Sequence, residues 1–177
     1  MLLCDAGEDK IVVCKDCNYS ANMEVAYSKQ IQSFSTQEEN VEKIYTPGVK
    51  TIEELQKFTS EDVRKIGKAV IYKRLDKNET ILVFIRADRQ VNETKLRNLL
   101  KIDDEDLVQK VPEPNDNIVY GFVGPKNFKG NNVVVIYDNS LKNEKSLIFG
   151  ANEENYHYKG INILRDVGEV QYVDVAK

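Results

Sequence analysis

The chain has 177 residues, of which 31% are charged, and a formal net charge of −4 at pH 7. A chain of this length usually forms one domain with room for a core and a ligand pocket. The negative balance argues against a module that holds nucleic acid by a broad basic face. No apolar run approaches the roughly 18 residues that a membrane-spanning helix needs, so we expect a soluble protein.

The first 40 residues are predicted to lie outside the main core. Acidic residues occur too early for a secretory signal peptide, which favours the cytoplasm. An apolar patch is present at Ile11–Val13 and a short helix is predicted at Ala21–Ala26, followed by a polar stretch, 27–40, that is typical of a linker. We therefore divide the chain into a junction segment with its linker, 1–40, and a folded domain, 41–177.

The three cysteines, Cys4, Cys14 and Cys17, all lie in this first segment. The C-x-x-C spacing of Cys14 and Cys17 suits zinc, but a closed zinc site needs four ligands, and only Cys4 and His157 remain as further soft ligands. The motif also does not open a helix after a buried strand, as thioredoxin-type redox sites do. We predict reduced cysteines in a hairpin and no metal site.

Two short helices are predicted after the turn signal at Tyr45–Gly48. Thr51–Glu54 matches a capping box and is followed by apolar residues at helical spacing. Ser60, followed by two acidic residues, predicts the start of the second helix.

The middle of the chain predicts a β-hairpin and further helices. The segments 69–75 and 81–86 are strand-like and are joined by a polar turn. The second strand is almost continuously apolar, so we expect it to be central and buried on both faces. Leucines at helical spacing predict a helix within 91–100, and another short helix is predicted within 103–108.

Beyond residue 117 the sequence pattern becomes that of β-structure. Short strands are predicted at 118–120, 133–137 and 146–149, separated by turns that contain glycine, proline or asparagine. Helices that alternate with strands in this way indicate an α/β (α+β) domain, in which helices pack on a mixed sheet.

Two segments combine reactive or ligand-binding groups with an unusual backbone. Lys68 follows a glycine at a helix-to-strand junction, where its ammonium group could bind a carbonyl, phosphate or hydroxyl oxygen. The loop Gly121–Pro125 has two glycines three residues apart, which allows backbone N–H groups to point at an oxyanion. The alternatives are an exposed lysine and an ordinary strand-ending turn.

Two further side chains are candidates with equally plain alternatives. Asp138 ends a strand and could orient a neighbouring amine or hydroxyl, but Asp-Asn-Ser is also favourable turn chemistry. His157 is the only histidine and could be a general base, a substrate clamp or a packed core residue. A serine triad has no support because no Gly-x-Ser-x-Gly motif occurs. The residues alone predict an oxygen-binding pocket and no particular reaction.

A resemblance to a known family extends over nearly the whole chain. The segments that carry it are, in order, Ala6–Asp9, Tyr19–Asn22, Thr46–Pro47, Thr51–Leu55, Lys68, Arg86–Asp88, Val91–Lys95, Gly121–Pro125, Val135–Asp138, Gly150–Asn152 and His157–Asp166. Together they resemble the editing insertion of bacterial prolyl-tRNA synthetase, which is related to the freestanding YbaK family. The resemblance implies a YbaK-like fold with a mixed, curved central sheet and surrounding helices.

The resemblance also implies an activity, the hydrolysis of the aminoacyl ester in alanyl-tRNA(Pro). The residues that match the family's catalytic positions are Lys68, Gly121, Gly124 and Pro125, and those that match its substrate-binding positions are Thr46, Asp138 and His157. We expect loop N–H groups within 121–124 to polarise the ester carbonyl while Lys68 holds the terminal adenosine or its phosphate. His157 and Asp138 are expected to shape the alanine-sized end of the pocket.

The implied partners are the acceptor end of tRNA(Pro) carrying alanine and the remaining domains of the synthetase, with no membrane. No cofactor is implied for editing, because ATP and Mg²⁺ would serve only the synthetase core. Two other functions stay open: a freestanding deacylase acting in trans, and a noncatalytic module that binds tRNA ends or a partner synthetase. The chain departs from the family pattern at Ala87–Arg89, where relatives often have Gly-Asp-His.

Overall fold

The computed structural model describes residues 10–27, 32–109 and 118–177. The strands are β1 (Ile11–Val13), β2 (Ser20–Asn22), β3 (Glu42–Tyr45), β4 (Gly67–Arg74), β5 (Glu79–Arg86), β6 (Leu107–Gln109), β7 (Val133–Asp138), β8 (Leu147–Gly150), β9 (Tyr156–Ile161) and β10 (Tyr172–Val173). The α-helices are α1 (Ile52–Thr59), α2 (Glu93–Leu100) and α3 (Ile163–Asp166), and single 3₁₀ turns occur at Val63–Lys65, Asp104–Asp106 and Asn139–Leu141. Among the described residues, no helix is both long and apolar enough to cross a bilayer.

A five-stranded mixed sheet forms the centre of the fold, in the order β10-β7-β5-β4-β6. β4 and β5 form the predicted antiparallel hairpin, whereas β7 runs parallel to β5. Every residue of β5 except the first is buried, because the strand has neighbours on both edges and packed layers on both faces. The predicted mixed sheet with a central second hairpin strand is therefore confirmed.

A second sheet packs against one face of the first. It is antiparallel, in the order β3-β9-β8, and an isolated bridge between Ile66 and Ile148 links it to the start of β4. The Phe84 ring of the first sheet meets the Phe149 ring of the second edge-on, with centroids 5.7 Å apart. On the opposite face, the buried Leu96 of α2 covers the first sheet. The site described below lies at the junction of the two sheets.

Several local predictions were wrong, because strand pairing or a tight turn replaces the predicted element. The helix expected at Ala21–Ala26 is instead the end of β2, which pairs with β1 in a hairpin, followed by a turn at 23–25. The helix expected within 103–108 is a single 3₁₀ turn followed by β6, which pairs with β4. Ile118–Tyr120 forms no strand, because the chain turns there and the Phe122 N–H donates to the Val119 carbonyl.

The predicted helix start at Ser60 was also wrong. Ser60 ends α1 in the left-handed conformation, with φ of 55°. The next turn is capped by Asp62, whose side chain accepts from the Arg64 N–H. The capping box at Thr51 and Glu54, by contrast, is present as predicted, with both of its reciprocal hydrogen bonds.

Part of the predicted linker is attached to the domain. The Phe34 and Ser35 N–H groups donate to the Glu144 carboxylate, and the Ser35 carbonyl accepts from the Lys145 N–H. Ser35 is buried as a result. The division at residue 40 stays a prediction, but the residues just before it contribute to the packed structure.

Candidate functional site

A cavity of about 550 Å³ opens where the two sheets meet the start of α1. Lys50 precedes α1, Lys68 belongs to β4, Gly121 and Val123 belong to the glycine loop, and His157 comes from β9; all five contribute to the wall. Ligand pockets in proteins usually have about 300–1,000 Å³, so the space suits a nucleoside-sized group with a small attachment.

Lys68 is half-buried in the wall without an ion-pair partner among the described residues. Its Nζ donates to the Ala87 carbonyl at 3.2 Å. Burial lowers the pKa of Lys68 below its ordinary value, and the nearby Asp88 and Glu53 carboxylates oppose that shift. The ammonium group therefore keeps donor capacity for an oxygen of a ligand in the cavity.

His157 is buried and uncharged near neutral pH. Its Nδ1 lies 2.6 Å from Thr46 Oγ1, and its ring centroid lies 5.4 Å from that of Phe122. Burial lowers the pKa of His157 to about 4. Nε2 has no hydrogen-bond partner in the described part of the chain. A neutral, fixed imidazole of such low basicity suits a pocket wall better than a general base.

Thr46 supports His157 from behind. β3 pairs with β9 so that Ile44 lies opposite His157, which brings the next residues of β3 to the imidazole. Thr46 is fully buried and its backbone N–H donates to the Asn155 carbonyl. Since Thr46 is not part of the cavity wall, any effect on a ligand would act through the histidine.

The glycine loop has fewer free N–H groups than the sequence suggests. The Gly124 N–H donates to Asn152 Oδ1 at 2.9 Å, and the Phe122 N–H donates to Val119. The N–H groups of Gly121 and Val123 have no acceptor among the described residues, and both residues line the cavity. Our expectation that the whole run 121–124 supplies donors is therefore corrected to these two positions.

Close packing explains the glycines. Gly121 has φ of +82°, and a Cβ there would lie 3.0 Å from the Lys50 side chain. A Cβ on Gly124 would lie 1.8 Å from the Gly150 carbonyl oxygen, because the loop rests on the end of β8. Pro125 is buried beside it and, like Gly124, is not in the cavity wall. Gly124 and Pro125 thus position the loop without facing the cavity.

Asp138, for which the resemblance implies a substrate-binding role, lies outside the cavity wall. It is 1% exposed, and its two oxygens accept from the Ser140 N–H at 2.8 Å and the Val175 N–H at 3.0 Å. Both oxygens are thus engaged by backbone donors. These bonds fit the turn interpretation that we weighed against a functional one, and the substrate-binding role of Asp138 stays a prediction.

Sequence reasoning missed other parts of the site. Lys50, Gln109 and Tyr120 line the cavity, and Tyr120 is largely exposed at its edge. Asn152 fixes the loop, because its Nδ2 donates to the carbonyls of Gly124 and Lys126. The only local signals were that Lys50 precedes the capping box and that Tyr120 precedes the first glycine.

Cys14 and Cys17 lie apart from the cavity. Hydrogen bonds from the Asp16 N–H and from Cys17 lower the pKa of the Cys14 thiol. Within residues 10–27, 32–109 and 118–177, no group of three His, Cys, Asp or Glu side chains could hold a metal ion. Cys4 lies outside the described residues, and the absence of a metal stays a prediction.

A mixed sheet, a glycine loop and a half-buried lysine surround one cavity, and the loop and the lysine provide hydrogen-bond donors in its wall. Residues 46–167 match the aminoacyl-tRNA editing domain family. The chain therefore belongs to that family.

Its relatives include proline–tRNA ligases that align along almost all of the chain. The enzyme of Persephonella marina is 40% identical over 96% of the chain, and that of Aquifex aeolicus is 37% identical over 98%. The enzyme of Halothermothrix orenii is 39% identical over the full chain. The chain spans about 30% of the length of these relatives, as expected for a domain within them.

Solved structures share the fold. A hypothetical protein superposes with a TM-score of 0.64, covering 78% of this chain and 92% of that one, at 17% identity. A proposed trans-editing enzyme for prolyl-tRNA synthetase superposes with a TM-score of 0.61, covering 77% of this chain and 87% of that one, also at 17% identity. The predicted YbaK-like α/β fold is thus confirmed.

Proposed function

We propose that this chain hydrolyses the ester that joins alanine to tRNA(Pro), as the editing domain of a prolyl-tRNA synthetase. The observation that carries the proposal is the cavity that combines Lys68, the glycine loop and His157 in a member of the editing family. Its partners would be the alanine-charged acceptor end and the other synthetase domains, in the cytoplasm. The alignment with proline–tRNA ligases supports this choice of tRNA.

Hydrolysis of alanyl-tRNA(Pro) would correct errors that arise because a proline-binding site excludes alanine only weakly. Alanine is smaller than proline, so a synthetic site that admits proline cannot exclude it strongly. A missing methylene is worth only about 1–3 kcal/mol of discrimination. A second pocket that admits the alanyl methyl group and rejects the proline ring removes the error after transfer.

The wall residues suggest how hydrolysis would proceed. The free N–H groups of Gly121 and Val123 would bind the carbonyl oxygen as it gains negative charge under attack by water. Lys68 would hold the terminal adenosine or its phosphate and so fix the ester beside the loop. His157, uncharged and held by Thr46, would form the wall that limits side-chain size. We propose that no cofactor takes part, since these groups supply the required positive charge and donors.

The test is deacylation of alanyl-, prolyl- and cysteinyl-tRNA by the purified chain. Alanyl-tRNA(Pro) should be hydrolysed fastest, and Lys68→Ala should reduce that rate by about 100-fold or more, as removal of a positioning or charge-stabilising group does. Lys73→Ala is the matched control, because Lys73 lies on the same strand but outside the cavity wall. An unchanged rate in Lys68→Ala would remove this lysine from the mechanism.

The same assay separates the alternatives. Preference for another misacylated tRNA would indicate a deacylase acting in trans, and binding without turnover would indicate a noncatalytic module. His157→Ala should admit prolyl-tRNA and so lower the alanyl-to-prolyl rate ratio. If that ratio stays at the unmutated value, His157 does not set the size limit.

A further inference from the structure

We propose that the buried Arg86 and Glu144, together with the more exposed Asp88, form an ionic network that positions Lys68 and connects it to the N-terminal segment at Phe34–Ser35. The inference rests on the proposed function only for its activity readout. None of the three network residues lines the editing cavity, so their role would be exerted through Lys68.

The centre of the network is Arg86, at the end of β5. It is 2% exposed, and its guanidinium donates to both oxygens of Asp88, at 2.7 and 2.9 Å. Its Nη1 also donates to Glu144 Oε1 at 3.0 Å. A buried guanidinium that is paired in this bidentate way fixes the turn that follows β5 in one orientation.

Glu144 joins this arginine to the N-terminal segment. Its Oε1 accepts from the Phe34 N–H at 2.9 Å and its Oε2 from the Ser35 N–H at 2.7 Å. The carboxylate is buried, so each of these bonds forms in a region of low dielectric constant, where charge-assisted hydrogen bonds are strong. If Phe34 and Ser35 moved away, the buried Glu144 carboxylate would therefore lose two of its hydrogen bonds.

The turn that Arg86 fixes is the one that holds Lys68. The Ala87 carbonyl, between Arg86 and Asp88, accepts from Lys68 Nζ, and the Ala87 N–H donates to the Ile66 carbonyl. The Asp88 charge also favours the protonated form of the lysine. The network thus sets both the position and the charge of the ammonium group.

Other titratable and charged groups also surround Lys68. Glu53 of α1 acts in the same direction as Asp88. Arg89 lies 3.7 Å from Asp88 and shares that carboxylate with Arg86. Lys50 and the neutral His157 share the cavity wall with Lys68. Removing the Asp88 charge leaves two arginines less neutralised, which would further disfavour a protonated lysine.

The chain contains a matched control for this network. Arg74 and Asp76 make the same bidentate pair at the same spacing, with distances of 2.7 and 2.9 Å. They lie where β4 leads into the turn of the hairpin, at the opposite end of that strand from Lys68. Asp76→Asn therefore removes the same chemical interaction without touching the turn that holds the lysine.

The experiment measures the reactivity of Lys68 by competitive labelling with trace acetic anhydride across pH, followed by mass spectrometry. Only the neutral amine reacts, so a lower pKa raises labelling at neutral pH. We expect Asp88→Asn to increase Lys68 labelling at least about twofold, Glu144→Gln to increase it less, and Asp76→Asn to leave it unchanged. Asp88→Glu, which keeps the charge, should restore most of the unmutated behaviour.

Deacylation measured on the same variants gives the second readout. In the pH profile of alanyl-tRNA deacylation, the alkaline limb should move to lower pH, most in Asp88→Asn, less in Glu144→Gln and not in Asp76→Asn. If Lys68 is labelled equally in Asp88→Asn, Glu144→Gln and Asp76→Asn, the network is wrong. If one of the two network variants does not fold, the comparison of the other with Asp76→Asn decides the question. If labelling changes while Lys68→Ala stays fully active, the network stands and the proposed role of Lys68 in catalysis fails.

Discussion

At the scale of single residues, His157 shows how burial selects among the roles that a histidine can take. Thr46 occupies Nδ1 and Phe122 packs against the ring, so the imidazole cannot turn without leaving a buried polar group unsatisfied. Its lowered pKa keeps it neutral at physiological pH. The residue is thus a rigid wall, which a sequence pattern alone cannot distinguish from a general base.

The buried histidine should make stability depend on pH. The pKa of about 4 in the folded state lies below the ordinary value of 6.5, so protons bind preferentially to the unfolded chain. The full contribution is present above about pH 6.5 and is lost as pH falls towards about 4, by up to about 3 kcal/mol. Urea unfolding across this range should show a steeper loss in the unmutated chain than in His157→Gln. Parallel curves would contradict the buried neutral state, because the carboxylates titrate alike in both proteins.

At the scale of elements, segments with a strong local pattern were predicted well. The capping box begins α1, and the hairpin of β4 and β5 follows from two apolar runs around a polar turn. β3 and β9 were missed because their burial comes from pairing between distant parts of the chain. Only Ile44 of β3 is even partly buried, so its sequence carries little apolar signal.

The residues of the site were also hard to group from local pattern, because they come from distant parts of the chain. Lys68, Gly121 and His157 meet in one cavity, but they come from β4, a loop and β9, and no local spacing relates them. The family resemblance grouped them. That resemblance could not show that the Gly124 N–H donates to Asn152 or that Asp138 caps a turn, because each depends on which backbone groups are already paired.

The packing of the glycine loop on β8 predicts an asymmetry between two glycines. A Cβ on Gly124 would collide with the Gly150 carbonyl, which the loop cannot avoid without losing its bonds to Asn152. Gly168 has open space around it and only a positive φ, so Gly168→Ala should cost roughly 1 kcal/mol. Gly124→Ala should cost about 3 kcal/mol or more by chemical unfolding, with loss of deacylation. If the two variants lose the same free energy of unfolding, the glycine loop moves easily enough to accommodate the added Cβ.

At the scale of the whole molecule, two sheets share one core and the cavity opens at their edge. The chain carries a net charge of −4, so cations near the cavity act against an acidic background. Lys50 and Lys68 line the cavity and have no ion pair among the described residues, whereas Lys126 lies 3.6 Å from Asp166. Because the overall charge is negative, we expect only the lysines close to a bound acceptor end to contact its phosphates.

The isolated chain should therefore bind tRNA weakly and with little sensitivity to salt. Contacts with about two or three phosphates give a slope of log K against log [KCl] near −2, since each phosphate contributes about −0.7 to −0.9. Fluorescence anisotropy of a labelled acceptor-stem RNA, titrated at several KCl concentrations, measures this slope. Lys50→Ala should make it shallower by nearly one, because Lys50 lines the cavity, whereas Lys73→Ala, outside the cavity wall, should not change it. A slope steeper than about −5 would contradict this expectation, because it implies six or more phosphate contacts.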